Sequence, residues 1–328
     1  MEFAFTDDQL AFRDAVRDLL AKECPPAVVR SAWTSADGRS GVAWDALGAM
    51  GVLGALVAEA AGGLGLDELD VVLVAEEAGW SALPEPFVEH VLVGAPLVVG
   101  EHPDVAVGAT TVTAGDPLAP YATVADFAVL LAPDAQIARR TRSEYALETS
   151  VDGSRRLGRL IATKDARPLT RAELSQAFWR GTLGYSAQLV GLARRMLAMT
   201  VEYASQRRQF GAPIGSFQAV KHQLADVRIA IEFAAPLVYR AAHSLAHGDP
   251  EAMLHCSMAK AQSADAATLA ARAALQCHGA IGYSFEYDLH LWMKRAWTLA
   301  RTWGDASWHR DRVARAILDS PTPEGTEG

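Results

Sequence analysis

Nine apolar residues, Phe217, Val220, Leu224, Val227, Ile231, Ala234, Val238, Ala241 and Leu245, advance along the chain by alternating steps of three and four. Only an α-helix gathers such a series on one face, and a row sustained this long needs other helices to cover it. An earlier row, Leu183, Ala187, Val190, Leu197, Val201 and Ala204, has the same helical spacing. Between the rows runs Arg207-Arg208-Gln209-Phe210-Gly211-Ala212-Pro213-Ile214-Gly215. Gly211, Pro213 and Gly215 stop one helix and restart the next, so the pattern predicts two long helices joined by a short turn. That turn concentrates two arginines, an amide and an aromatic ring at a helix end. Guanidinium forks beside an aromatic edge suit a ligand that carries phosphates and a ring, although a solvated helix end would use the same residues.

Helical patterning also fills residues 1–100. Thr6 can cap a helix that opens with Asp7 and Asp8 and buries Leu10, Phe12, Val16, Leu19 and Leu20, ending at Pro25-Pro26. A second helix is expected around Trp44–Met50, followed by a glycine-rich bend at Gly62-Gly63-Leu64-Gly65, a helix over Asp67–Gly79 carrying Glu76-Glu77, and another over Phe87–Val99. From 101 to 170 the pattern turns short and extended, at Val105–Val107, Ala109–Thr113, Phe127–Leu131 and Tyr145–Val151, which predicts a small β-domain. Helices return over 171–318, and the last ten residues, 319–328, read as a disordered tail. The fold class is therefore mainly α, with a helical N-terminal domain, a reduced middle β-domain and a C-terminal four-helix bundle.

Composition limits the function. Half of the 328 residues are hydrophobic, enough for a sizeable core, and a net charge of −9 argues against nucleic acid as the main partner. No apolar run reaches the roughly 20 residues of a membrane span, and the start MEFAFTDDQL has no basic or apolar leader segment, so a cytoplasmic location is expected. Cys24, Cys256 and Cys277 are not clustered for metal and read as reduced core thiols.

The joint resembles the signature of the acyl-CoA dehydrogenase family, Arg-x-Gln/Thr-Phe-Gly-x-x-Ile-x-x-Phe-Gln, which lies between two helices of that family's C-terminal bundle. A second stretch, Gln276-Cys277-His278-Gly279-Ala280-Ile281-Gly282-Tyr283-Ser284-Phe285-Glu286-Tyr287, is similar to the family's Gln-x-x-Gly-Gly-x-Gly-Tyr-x-x-Glu-Tyr, with Ala280 where glycine is usual. The order of glycines and glutamates in residues 1–100 looks like the family's N-terminal domain. The resemblance implies FAD as cofactor and an acyl-CoA substrate. It further implies that Arg207, Gln209 and Phe210, with Gln276, Gly279 and Ala280, contact the ADP portion of an FAD held mainly by a neighbouring subunit. His278 reads as a packing or capping residue.

The family pattern is incomplete. The Thr-Glu-Pro…Gly-Ser-Asp loop and the Trp-Ile-Thr-Asn segment that hold the flavin ring are not found in the middle region. The two positions where family members carry the catalytic Glu correspond to Trp303 and Gly181, neither of which is a base. Asp305, two residues out of register, is a weak substitute; Glu286 and Glu232 read as structural or solvated. Retention of the lent half of an FAD site without the half that does chemistry is what a subunit working beside a complete partner would show. Heteromeric α2β2 members from actinobacterial steroid side-chain breakdown look similar. A self-sufficient dehydrogenase with a displaced base such as Asp305, and a flavin-free scaffold subunit, are the alternatives.

Overall fold

The structure, a computed structural model, describes residues 4–115, 118–131, 136–139, 145–160 and 166–319. The tail expected to be disordered lies outside these residues from 320 onward.

The first helix, α1 (Asp7–Glu23), begins where its capping signal stands: the Thr6 hydroxyl accepts from the Gln9 amide, and the Gln9 side chain accepts from the Thr6 amide. Pro26 does more than end α1. It takes the first position of a further helix, α2 (Pro26–Thr34), where its missing N–H costs nothing. Next come α3 (Val42–Ala49) and, after two short 3₁₀ turns, α4 (Glu68–Trp80), capped by Asp67. α4 is buried nearly all round, including Glu68, Glu76 and Glu77. Each carboxylate has a cation of the same chain: Glu68 pairs with Arg180 (2.6 Å), Glu76 with Arg194 and the Tyr239 hydroxyl, and Glu77 with Arg17 (2.6 Å). Glu76 and Glu77 thus pin neighbouring elements of their own chain.

After α4, Val88–Gly94 winds as π-helical turns into α5 (Ala95–Val98). The extended segment expected at Val105–Val107 is instead a 3₁₀ turn, Pro103–Val107, because Pro103 and Asp104 start a helical turn that Gly108 closes with a positive φ. The described residues of the middle region hold two small sheets. One has strands β1 (Val112–Gly115), β3 (Phe127–Leu130), β4 (Gln136–Arg139) and β7 (Arg167–Pro168) in the order β1-β3-β4-β7, with β1 parallel to β3. The other has β2 (Leu118–Ala119), β6 (Leu157–Leu160) and β5 (Tyr145–Glu148) in the order β2-β6-β5, all antiparallel.

The C-terminal bundle is built from α6 (Arg171–Gln206), α7 (Gln218–Ala246), α8 (Ala252–His278) and α10 (Leu289–Arg301), with the short α9 (Ala280–Tyr283) before α10 and α11 (Ala306–Leu318) closing it. α6 packs against α4 almost backbone to backbone. A Cβ on Gly79 would lie 2.2 Å from the Gln188 carbonyl oxygen, and one on Gly191 2.0 Å from that of Glu76. The nine-residue apolar row is buried from Val227 to Ala241; Val220, Leu224 and Leu245 are half-covered and Phe217 is exposed. The end of α7 nearest the joint therefore presents apolar surface outward. No described helix is long and apolar enough to cross a membrane.

His90 ties the π-helical turns to the middle region: its Nε2–H donates to the Val105 carbonyl, and its Nδ1 accepts from the Val112 amide (3.0 and 3.1 Å). These partners require the neutral ring, and complete burial pulls its pKa down to about 4. A folded pKa below the unfolded value of 6.5 contributes stability that is complete above pH 6.5 and is lost as pH falls through 4. We expect urea stability to fall by on the order of 3 kcal/mol from this group between pH 6.5 and 4. The His90 ring signal in NMR should stay that of the neutral form at pH 5; a ring that titrates near 6.5 would refute the assignment.

Candidate functional site

The joint between α6 and α7 is a β-hairpin rather than a simple helix end. Arg207 caps α6, then β8 (Arg208–Gln209) pairs with β9 (Ala212–Pro213) around a two-residue turn. Both turn residues have positive φ, Phe210 at +50° and Gly211 at +81°. This is the left-handed geometry that two-residue hairpins need, and it is unfavourable for an aromatic residue. The Arg208 guanidinium donates to the Gly211 carbonyl (2.9 Å) and steadies the turn. Phe210 stands at the apex, 95% exposed, with Phe217 edge-on at 6.3 Å. Arg207, Arg208 and Gln209 are exposed too, and neither guanidinium is ion-paired among the described residues.

The second expected stretch is the C-terminus of α8. Gly279 terminates that helix at φ 62°, ψ −138°, a conformation open essentially to glycine alone, and nothing lies within 4 Å of where its Cβ would be. Gln276, Gly279 and Ala280 are all exposed. The ends of α6 and α8 are held side by side by aromatic stacking: Tyr203, one turn before Arg207, stacks on His278 at 4.2 Å, and Tyr287 closes against both rings. His278 is buried and donates from Nδ1 to the Ala274 carbonyl (2.7 Å), so it packs and caps. Cys277 meets Gln223 of α7 through its thiol. Two motifs separated by more than sixty positions in the numbering thus belong to one end of the bundle, with bare backbone, two guanidiniums without an ion pair among the described residues and a raised ring.

Trp303 and Gly181, the two positions where a base was sought, converge elsewhere. Trp303 is 3% exposed, and a Cβ on Gly181 would lie 2.5 Å from its indole ring. Phe178 and Tyr185 pack around the same ring at 5.9 and 6.0 Å. The indole is held in place from its backbone. Trp303 has a φ of +60°, its carbonyl accepts from His309 Nε2 (2.9 Å), and Lys260 Nζ donates to the carbonyls of Ala300 (3.2 Å) and Gly304 (2.8 Å). Burial pulls the Lys260 ammonium down to about 7 against the pull of Asp305. Asp305 itself is exposed and accepts from the Trp308 amide (2.8 Å) as the N-cap of α11. The role of Lys260 is not legible in the sequence, although it stands out there as a cation within the alanine-rich run of α8.

Residues 6–99 match the acyl-CoA dehydrogenase N-terminal domain and residues 174–318 the acyl-CoA dehydrogenase C-terminal domain. The chain belongs to the acyl-CoA dehydrogenase family, and with it to the FAD-dependent oxidoreductases. It is similar to the acyl-CoA dehydrogenase IpdE2 of Mycobacterium tuberculosis (strain ATCC 25618 / H37Rv), with 31% identity over 299 residues, 88% of this chain and 91% of that protein. Among solved structures it resembles a chain of the ChsE4-ChsE5 complex from Mycobacterium tuberculosis, with a TM-score of 0.87 at 22% identity, covering 98% of this chain and 100% of that one. A chain of a Tcur3481-Tcur3483 steroid ACAD variant matches with a TM-score of 0.84 at 22% identity, over 95% of this chain and 98% of that one.

The two candidate regions therefore differ in character. The exposed guanidiniums, the ring of Phe210 and the uncovered Gly279 backbone fit a pyrophosphate and an adenosine. At the two positions where a base is expected, Trp303 fills the space beside Gly181. Truncation separates packing from display. Trp303→Ala should cost about 3–5 kcal/mol in urea unfolding, whereas Phe210→Ala should change stability by no more than about 0.5 kcal/mol. A neutral Trp303→Ala would show that the indole does not fill a packed space.

Proposed function

We propose that this chain is the half-site subunit of a heteromeric FAD-dependent acyl-CoA dehydrogenase. It clamps the ADP portion of a shared FAD, while a full-length partner subunit holds the flavin ring and supplies the catalytic Glu. One observation carries the reading: the chain that displays an exposed, unpaired cationic hairpin also packs a tryptophan into the position where its own base would stand. In the α,β-dehydrogenation of an acyl-CoA, a carboxylate removes the proton α to the thioester, and FAD, when bound, accepts hydride from the β carbon. Nothing at Trp303 or Gly181 can remove that proton.

The roles then fall to named residues. Arg207 offers a guanidinium to the pyrophosphate, Phe210 a ring edge to the adenosine, and Gln209 a polar contact between them; Gln276, Gly279 and Ala280 let the nucleotide lie against bare backbone. The commitment of Asp305 to capping α11 weighs against a self-sufficient enzyme with a displaced base. Phe210, Phe217, Ile229, Phe233 and Tyr283 are exposed on the hairpin, on α7 and on α9, which supports a subunit interface there. The likeness to IpdE2, to a chain of the ChsE4-ChsE5 complex and to a chain of a steroid ACAD supports an α2β2 assembly acting on a bulky, steroid side-chain acyl-CoA in the cytoplasm. On this reading the chain divides into an N-terminal helical domain (1–100), a truncated β-domain (101–170) and a C-terminal bundle (171–318).

The test is flavin stoichiometry in the complex purified with the partner dehydrogenase. One FAD should be shared by each pair of unlike chains, and this chain alone should be colourless. Arg207→Ala should weaken FAD retention roughly tenfold to a hundredfold, the loss of one charge-assisted contact, without dissociating the subunits. A chain that is yellow and reduces dye by itself would overturn the half-site reading; unchanged flavin content in Arg207→Ala would favour the flavin-free scaffold.

A further inference from the structure

A cavity of about 180 Å³ lies where the end of α1, the start of α2 and the end of α4 face α6 and α10. It belongs to neither candidate region described above. Arg195 of α6 lines it, about 18 Å along the helix axis from Arg207 and about 21 Å from Gly181 at the helical rise of about 1.5 Å per residue.

Arg195 is held in place but not neutralised. Its guanidinium lies over the rings of Trp80 and Trp292, 5.3 and 5.5 Å from their centroids, and the Trp292 indole is itself fixed by donating to the Trp80 carbonyl (2.8 Å). Ring faces attract a cation but bring no negative charge. Among the described residues the half-buried Arg195 has no hydrogen bond and no ion pair. Its neighbour Arg194 differs, being paired with Glu76, and Arg17, which also lines the cavity, is paired with Glu77 and Asp14.

The polar groups around Arg195 are sorted by kind. The carbonyls of Leu20, Trp80 and Ser81 already accept, from the Cys24 amide, the Trp292 indole and the Cys24 thiol in turn. Burial pushes that thiol up to about 12, so it stays neutral and adds no negative charge. Left without a partner among the described residues are the Arg195 guanidinium, the Trp80 indole N–H and the Ser81 hydroxyl. A cavity with its acceptors spent and its donors uncommitted favours an anion.

Charge and shape narrow the anion. Because Arg17 is matched by carboxylates, Arg195 contributes one uncompensated positive charge, which suits a monoanion better than a phosphate dianion. Leu20, Pro25, Pro26 and the two indole rings surround it with hydrocarbon. The volume slightly exceeds the roughly 150 Å³ of an apolar cavity that takes up benzene. We infer that this cavity binds a small organic monocarboxylate of about four to six carbons, its carboxylate on Arg195 and its hydrocarbon against Pro25, Pro26 and the indoles.

Butyrate, butanol and inorganic phosphate, titrated separately at constant ionic strength into the full chain carrying isotope-labelled tryptophan, test this through the indole N–H signals of Trp80 and Trp292 in NMR. Butyrate should shift both signals saturably, and butanol and phosphate should each bind at least tenfold more weakly. Arg195→Gln should weaken butyrate at least tenfold with circular dichroism unchanged, and Arg207→Ala should leave its affinity as it was. No saturable shift, or unaltered affinity in a folded Arg195→Gln, overturns the site. Butanol binding as tight as butyrate reduces the cavity to an apolar hole, and phosphate binding as tight removes the monocarboxylate class; either result overturns the inference. Loss of butyrate binding in Arg207→Ala assigns that binding to the hairpin and overturns it too. The comparison of the three ligands uses the unaltered chain, so it decides even where a variant fails to fold. Flavin retention is not read in any arm, so this inference and the half-site reading stand or fall separately.

Discussion

The approach of α4 to α6 without side chains between them is the contact on which the other parts rest. Gly79 and Gly191 remove the Cβ atoms that would strike the opposing carbonyls, so each helix meets the other's backbone. Once α6 is seated there, its 36 residues reach from the middle region to the hairpin, and α7, α8 and α10 pack along it. A side chain at either glycine would force the helices apart, and with them the N-terminal domain and the bundle.

Buried charge reinforces that contact. Glu68 and Glu76 of α4, both buried, are each met by an arginine of α6. A further network links the sheet region to both helical blocks: Arg155 faces Glu89 and the Tyr185 hydroxyl, and Arg295 of α10 pairs with Asp152 and donates to the Leu83 carbonyl (2.8 Å). Such pairs add less net stability than their Coulomb energy implies, but breaking one leaves an uncompensated charge inside. They therefore specify one arrangement of the three regions.

The same framework separates the two ends of the candidate FAD site. Tyr203 on His278 brings the hairpin and the Gly279 turn to one exposed face, where two guanidiniums have no counter-ion among the described residues. At the other end, Lys260 and His309 hold the backbone around Trp303 so that the indole lies against Gly181. Display at one end and closure at the other come from the same helices, since α6 carries Gly181 near its start and Tyr203 near its end.

Much was legible from residue pattern alone. Helical periodicity located α1, α4, α6, α7 and α8, because an apolar row at three-and-four spacing has one low-energy solution, and Thr6 and Asp67 marked where two of them begin. Local chemistry also showed that Trp303 and Gly181 are no bases. Long-range geometry was not legible: that Phe210 tops a strained hairpin, that Val105–Val107 coils as a 3₁₀ turn, that Glu76 and Glu77 turn inward, and that Gly181 is small because Trp303 lies against it. Each depends on which distant residue occupies the adjoining space, and spacing along one segment carries no record of that. The sequence by itself determined the helices, the family signature and the missing carboxylate; the tertiary structure decided which glycines are contacts, which arginines are left free and where the indole goes, because close packing is settled between segments and not within them.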